Sequence, residues 1–255
     1  MPLKIHQFSC LSDNYGYLIR DEKSGAVAAI DTPCAETINA QLEQLGWALS
    51  HIFNTHWHLD HAGGNLALKD KWACEIVGPR GEAAKIPGID RAVGDNDVVM
   101  LGDSAADIYD TPGHTAGHII FHFAAENAAF VGDTIFALGC GRLFEGSPEQ
   151  MWHSLQKVAG LPRETNLYCA HEYTTANAQF AVTVDPENAA LAARCSEIAE
   201  KRARNIPTVP STLAIELETN PFLRADQPGI QRAVKMDGHD PIAVFAEVRS
   251  RKDAF

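Results

Sequence analysis

Residues 54–65 read Asn-Thr-His-Trp-His-Leu-Asp-His-Ala-Gly-Gly-Asn and set His56, His58, Asp60 and His61 within six positions. Imidazole and carboxylate are donors suited to Zn²⁺, Fe or Mn²⁺. In an extended stretch alternate side chains share a face, so His56 and His58 are expected to converge on one ion. The chain then turns toward Gly63-Gly64, which points Asp60 and His61 at an adjacent ion. Three further donors fall at the ends of expected strands: His114 after a Thr-Pro-Gly turn, Asp133 closing AAFVGD and His171 closing NLYCAH. A carboxylate at the end of a buried strand is costly unless positive charge meets it. A lone histidine is more often a hydrogen-bonded structural residue than a ligand. Together, these seven donors at one set of strand ends point to a two-metal site. His6, His51, His118, His122, His153 and His239 read as structural, with His118, four residues past His114, the closest competitor.

Such a site needs a scaffold of strands that end together. Up to about residue 170, short β-rich runs alternate with helices. YGYLIR, AVAAID, SHIFNTH, EIVGP, DVVML, DIYDTPG, HIIFHFA, AAFVGD and NLYCAHEY read as strands. AETINAQLEQLG reads as a helix ended by Gly46, and Gly63-Gly64 opens a short helix through Leu68. SPEQMWHSLQKVA is a helix capped by Ser147, with Pro148 in its first turn and Gln150 completing a capping box. Beyond residue 171 the texture turns helical. DPENAALAARCSEIAEKRAR is expected to start at Asp185 as N-cap with Pro186 at the first position. Further helices are expected near AIELETN, GIQRAVK and PIAVFAEVRSRK, so the domain boundary is placed near residue 172.

The formal net charge of −12 disfavours nucleic acid, which is bound through clustered Lys and Arg. A local basic patch survives in the closing VRSRKDAF, where Arg249 and Lys252 stand three apart on one helix face while Arg251 points elsewhere. The longest apolar runs fall well short of the ~20 residues that span a bilayer, so no membrane partner is expected. MPLKIHQFSC lacks the features of a secretory leader, and a cytoplasmic monomer is the simplest expectation. Six scattered cysteines without a C-x-x-C pair read as free thiols in or near the core.

THWHLDH, TPGHT, GDT and a late histidine resemble the metallo-β-lactamase superfamily. Within it, GDTIFALGCGRLFEG, AHEYT, PTVPST, NPFLR and VRSRKDAF resemble the glyoxalase II (hydroxyacylglutathione hydrolase) family over nearly the whole length. The resemblance implies an α/β fold: a four-layer αββα sandwich as catalytic domain over residues 1–171, then a small α-helical substrate-binding domain over 172–255. It implies two divalent ions, with His56, His58 and His114 on one, Asp60, His61 and His171 on the other, and Asp133 bridging. Asp60 and Asp133 then flank a water that two cations activate for attack on a thioester. The implied substrate is S-D-lactoylglutathione, released as D-lactate and glutathione in the second step of methylglyoxal detoxification. Arg142, Tyr173, Arg249 and Lys252 would meet the glutathione moiety.

Three positions depart from the family pattern. Arg142 and Phe144 stand where some members carry Lys and Tyr, and Phe144 cannot donate a hydrogen bond. Trp57 stands where a histidine is common and is expected to face away from the metals. The rival readings are a lactonase or β-lactamase, a phosphodiesterase, and a metal-dependent binding module. The first two would share the ligands without the NPFLR and C-terminal basic features, and a phosphodiesterase would want a broad basic surface.

Overall fold

The computed structural model describes residues 3–255. The chain forms two compact units, one of the residues up to Asp110 with Ala116–Gly132, the other of Thr111–Thr115 with Asp133–Phe255.

The first unit holds two sheets. Strands β1 (Leu3–Cys10), β2 (Asn14–Asp21), β3 (Val27–Ile30), β4 (His51–Phe53), β5 (Glu75–Pro79) and β6 (Arg91–Val93) lie in sequence order. β1 to β3 pair antiparallel and β3 to β6 parallel. Parallel pairing requires crossovers. Helix α1 (Ala35–Leu45) supplies the first, and α2 (Leu59–Ala62) with α3 (Asn65–Trp72) the second. Ile38 and Leu42 lie one turn apart on α1 and are buried with Leu18, Ile52 and Leu68. α1 stops at Gly46, whose φ of 65° is the left-handed cap that glycine adopts without steric cost. Burying each such side chain is worth about 1.5–3 kcal/mol.

The second sheet is an antiparallel meander of β7 (Val98–Leu101), β8 (Ser104–Asp110), β9 (Ile119–Phe123) and β10 (Ala128–Gly132). Phe53 stacks on Phe121 at 5.2 Å between ring centroids, and Tyr17 meets Phe130 edge-on at 5.5 Å. These contacts join the two sheets face to face.

The second unit begins with a hairpin, β11 (Ile135–Phe136) and β12 (Gly139–Cys140), followed by helix α4 (Pro148–Ala159) and β13 (Asn166–Cys169). α5 (Thr174–Val184), α6 (Ala189–Ala203), β14 (Ser211–Thr212), α7 (Leu213–Thr219), α8 (Pro228–Val234) and α9 (Pro241–Ala254) complete it. α4 carries the expected capping box between Ser147 and Gln150, with Pro148 in its first turn. One cap differs from expectation. Asp185 closes α5, and α6 starts at Asn188, whose side chain accepts from the Leu191 N–H. Asp185 instead accepts from Asn188 and Arg224. All six cysteines are free thiols, four of them buried. Among the described residues no helix is long and apolar enough to cross a membrane.

Candidate metal centre

In the first unit the donor-rich segment is not a strand continuation. β4 ends at Phe53, residues 54–58 form a loop, and Asp60 and His61 sit on the single turn of α2. Buried polar groups hold this loop. The Asn54 side chain donates to the His61 carbonyl, and Asn65 donates to Asn54 Oδ1, both at 2.8 Å. Asp31, at the end of β3, accepts from the Thr55 N–H and hydroxyl and from His61 Nδ1, each at 2.8 Å. Asp31 has a φ of 56°, a conformation that Asp tolerates better than most residues. Because the carboxylate accepts at Nδ1, His61 presents Nε2 as its lone-pair atom. Buried Glu82 accepts from the N–H groups of Trp57 and Gly117 at 3.2 and 2.8 Å. Trp57 lies edge-on to His58 with Lys85 over its ring.

The donors of this half converge. His56 Nε2 and His58 Nδ1 are 3.0 Å apart, and His61 Nε2 lies 3.4 Å from Asp60 Oδ2. With bonds of about 2.1 Å, two ligand atoms of a tetrahedral zinc centre lie about 3.4 Å apart. The donor atoms are thus spaced as coordination edges. Asp60 Oδ2 also accepts from Asn14 at 3.3 Å, and its side chain is 40% exposed. His118 is fully buried and stacks on His56 at 4.8 Å between centroids. Gly132 leaves no room beside this loop: with φ +48°, a Cβ there would lie 2.6 Å from Thr55 Oγ1 and 2.7 Å from His118 Nε2.

The second unit holds the other three donors. His114 Nδ1 lies 2.9 Å from the Arg142 carbonyl, which can only accept, so that nitrogen carries the proton and Nε2 the lone pair. His114 Nε2 is 3.4 Å from Asp133 Oδ2, and His171 Nε2 is 3.5 Å from Asp133 Oδ1. Each carboxylate oxygen therefore faces a different imidazole. All three side chains are buried. Gly141 allows the approach, since a Cβ there would lie 2.1 Å from the Asp133 carbonyl oxygen.

The family model of the metallo-beta-lactamase superfamily matches residues 13–171, and that of the hydroxyacylglutathione hydrolase C-terminus matches residues 172–255. The chain is 56% identical to the hydroxyacylglutathione hydrolase of Hyphomonas neptunium over 99% of its own length and 98% of the relative's. The enzyme of that name from Maricaulis maris is 53% identical over 99% of both chains. The chain belongs to the hydroxyacylglutathione hydrolase family, within the metallo-β-lactamase superfamily. Among solved structures, ETHE1 from Myxococcus xanthus matches with a TM-score of 0.68 at 25% identity, covering 100% of this chain and 99% of that one. The expected metallo-β-lactamase fold with a helical C-terminal part is therefore present.

The motifs that carried the resemblance hold one another in the second unit. Asn220 of NPFLR donates to the carbonyls of Phe136 and Gly139, and Asn177 donates to that of Ala137. Glu216, fully buried, accepts from the Leu138 N–H and from Asn220 and pairs with Arg194. The C-terminal helices thereby grip the β11–β12 hairpin, from which Arg142 and Phe144 project exposed. Phe144 lies edge-on to His114 at 5.2 Å, and its N–H donates to the His114 carbonyl. Tyr173 is 38% exposed and stacks parallel on His171 at 4.7 Å.

The basic pair on α9 divides. Arg249 is turned inward, 5% exposed, donating to the Cys140 carbonyl and to Asp253 at 2.9 Å. Lys252 is half-buried, donates to the Ala176 carbonyl, and lies over the rings of Phe180 and Phe255. Burial, then the neighbouring charges of Arg249 and Arg142, hold the Lys252 ammonium below the usual lysine range. Arg251 lies on another face, bonded to Glu247 and the Val234 carbonyl. Asp31, Glu82 and Asn14 were not singled out in the sequence. Asp31 alone carried a signal, as an aspartate closing the strand AVAAID.

Proposed function

We propose that the chain hydrolyses 2-hydroxyacyl thioesters of glutathione, converting S-D-lactoylglutathione to D-lactate and glutathione, the second step of methylglyoxal detoxification. The observation that carries this reading is Asp133 with an imidazole at each oxygen, in a chain of this family. In this reading His56, His58 and His114 hold one divalent cation, Asp60, His61 and His171 hold the other, and Asp133 joins them. The imidazole-rich set suits zinc, and Fe or Mn fit the same donors. Bound there, the cations would supply Lewis acidity for a shared water and for charge developing on the thioester oxygen.

The chain's own residues do the remainder. Asp60, steadied by Asn14, accepts a hydrogen bond from the attacking water and aims it at the carbonyl carbon. Asp31 keeps the proton of His61 on Nδ1, and the Arg142 carbonyl does the same for His114. Departing glutathione needs little proton help, because a thiol has a pKa of about 8.5. Arg142, Tyr173 and Lys252 bind the glutathione moiety, its carboxylates meeting the two cations. Arg249 serves the same surface from beneath, by holding the Cys140 end of the hairpin next to Arg142.

The proposed division puts catalysis in residues 1–171, from which Arg142 also reaches the substrate, and the rest of substrate binding in 172–255, in a cytoplasmic monomer. The test is a panel of glutathione thioesters, lactones, phosphodiesters and β-lactams assayed with zinc-reconstituted protein. The expected result is the highest kcat/KM on glutathione thioesters. A higher value on any other class overturns the substrate assignment, and metal loading with no turnover of any class overturns the assignment as an enzyme.

A further inference from the structure

Two thiols outside the metal centre lie together in the first unit. Cys10 ends β1 and is 3% exposed; Cys34 is the residue before α1 and is half-buried. The two thiols lie near enough to influence each other, with the Thr37 side chain beside both. Thr37 Oγ1 donates to Cys34 Sγ at 3.3 Å, and the Cys34 thiol donates to Glu36 Oε2 at 3.3 Å. Both cysteines border one apolar cluster beneath the sheet. Of the remaining four cysteines, Cys74, Cys140 and Cys169 are buried, and half-buried Cys195 faces the Ala178 carbonyl.

We infer that Cys10 and Cys34 form a redox-modification site, in which a hydroperoxide oxidises Cys34 and Cys10 closes a reversible intramolecular disulfide. Access decides the order. Cys34 is the thiol that solvent reaches, and the Glu36 carboxylate is placed to take its proton as sulfur attacks the peroxide oxygen. The O–O bond breaks, Cys34 becomes a sulfenic acid, and the other oxygen leaves as water or an alcohol with the proton. The Cys10 sulfur then displaces the hydroxyl from Cys34, its own proton leaving with that hydroxyl as water. Burial raises the Cys10 thiol above its usual range, so it waits as a protonated thiol until an electrophilic sulfur forms beside it. Two equivalents of a small thiol restore both cysteines and leave as their disulfide.

The experiment treats the zinc-loaded full chain with near-stoichiometric hydrogen peroxide, alkylates all accessible thiols in denaturant, and maps peptides without reduction. The expected product is a Cys10–Cys34 linked peptide lighter by two hydrogens, with two of the six thiols lost to alkylation and regained after dithiothreitol. In Cys10→Ser, Cys34 should accumulate as a dimedone-trapped sulfenic acid and then a sulfinic acid. In Cys34→Ser, Cys10 should remain alkylatable. The proposal is overturned if wild type keeps all six thiols, if the bond formed involves Cys195 or a second chain, or if Cys34→Ser still loses Cys10.

Discussion

Asp31 meets His61 with Oδ2 at 2.8 Å from the imidazole Nδ1, and both side chains are almost fully buried. The same carboxylate takes the Thr55 N–H and hydroxyl, so one residue fixes both the loop of His56 and the ring of His61. Asp31→Asn keeps an acceptor and a side chain tolerant of positive φ, but loses the charge. Its expected effect is a 10- to 100-fold weaker affinity for one metal ion with a nearly unchanged Tm, since such partners of a ligating histidine are typically worth about that much. Asp31→Ala should also unfold earlier, with on the order of 3 kcal/mol lost to unpaired buried groups and left-handed backbone. Metal titration followed by melting of the apo-protein checks both. Equal metal affinity in all three proteins would remove Asp31 from the site.

What could be read from the sequence follows from how local each signal is. His56, His58, Asp60 and His61 announce themselves by type and density, and His114, Asp133 and His171 by falling at strand ends. Asp31 is a single carboxylate whose partners lie 24 and 30 residues away, so only the fold reveals its role. Helix α5 escaped notice because TTANAQFAVTV is rich in β-branched residues, and burial of Phe180, Ala181 and Val184 overrides that propensity. Asp185 and Asn188 are both good caps, and sequence does not choose between them. The pairing of Arg249 and Lys252 on one helix face was legible from spacing. That the face is half-buried, with Arg249 on its inner side, was not.

Asp133 should be the residue on which two-metal occupancy depends. Asp133→Ala removes the only carboxylate facing both His114 and His171 among the described residues, and two cations placed there would repel without it. Elemental analysis is expected to find at most one ion per chain, with kcat reduced by at least about a hundredfold. Two ions per chain in the variant would contradict the bridging role.

His114 and His118 separate by chemistry although they are four residues apart. His114→Ala should lose one ion. His118→Ala should keep metal stoichiometry and pay only in stability, by about 2 kcal/mol for the buried ring stacked on His56. Metal content and Tm measured on both variants decide the matter, and the reverse pattern would mean that the wrong histidine has been chosen.

His122 makes acid stability testable away from the metals. It is 3% exposed in β9, neither ring nitrogen has a hydrogen-bond partner, and burial holds its pKa below 6.5 despite the opposing pull of Asp107. Above the unfolded-state pKa both states are neutral and the group is silent. As pH falls below it, the unfolded chain binds a proton that the folded chain refuses, so stability drops until the folded pKa is reached. The loss is at most about 1.4 kcal/mol per pH unit. His122→Phe should therefore melt progressively higher relative to wild type between pH 7 and pH 5. A difference in Tm that stays constant over that range would show that His122 does not titrate differently on folding.

Lys252 and Arg249 should give different signatures. Lys252 projects its ammonium where the charges of Arg142 and Arg249 already raise the local potential, an arrangement that pushes its proton off and that an anion would relieve. Lys252→Ala should raise KM for a glutathione thioester by about 1–3 kcal/mol, roughly five- to 150-fold. It should leave kcat nearly intact, because a contact to a remote carboxylate is equal in ground and transition states. Higher salt should weaken wild-type binding more than variant binding. Binding should also weaken, as pH rises, at a lower pH than an ordinary lysine would give, since the depressed ammonium loses its proton earlier. Arg249→Ala instead removes the bonds to the Cys140 carbonyl and to Asp253. It should lower Tm and disturb kcat and KM together as the hairpin loosens. A thioester lacking the glycine carboxylate is the control, against which wild type and Lys252→Ala should perform alike while Arg249→Ala remains impaired. If Lys252→Ala loses as much on the truncated substrate as on the full one, its bond to the Ala176 carbonyl is what matters, and the lysine does not read the substrate.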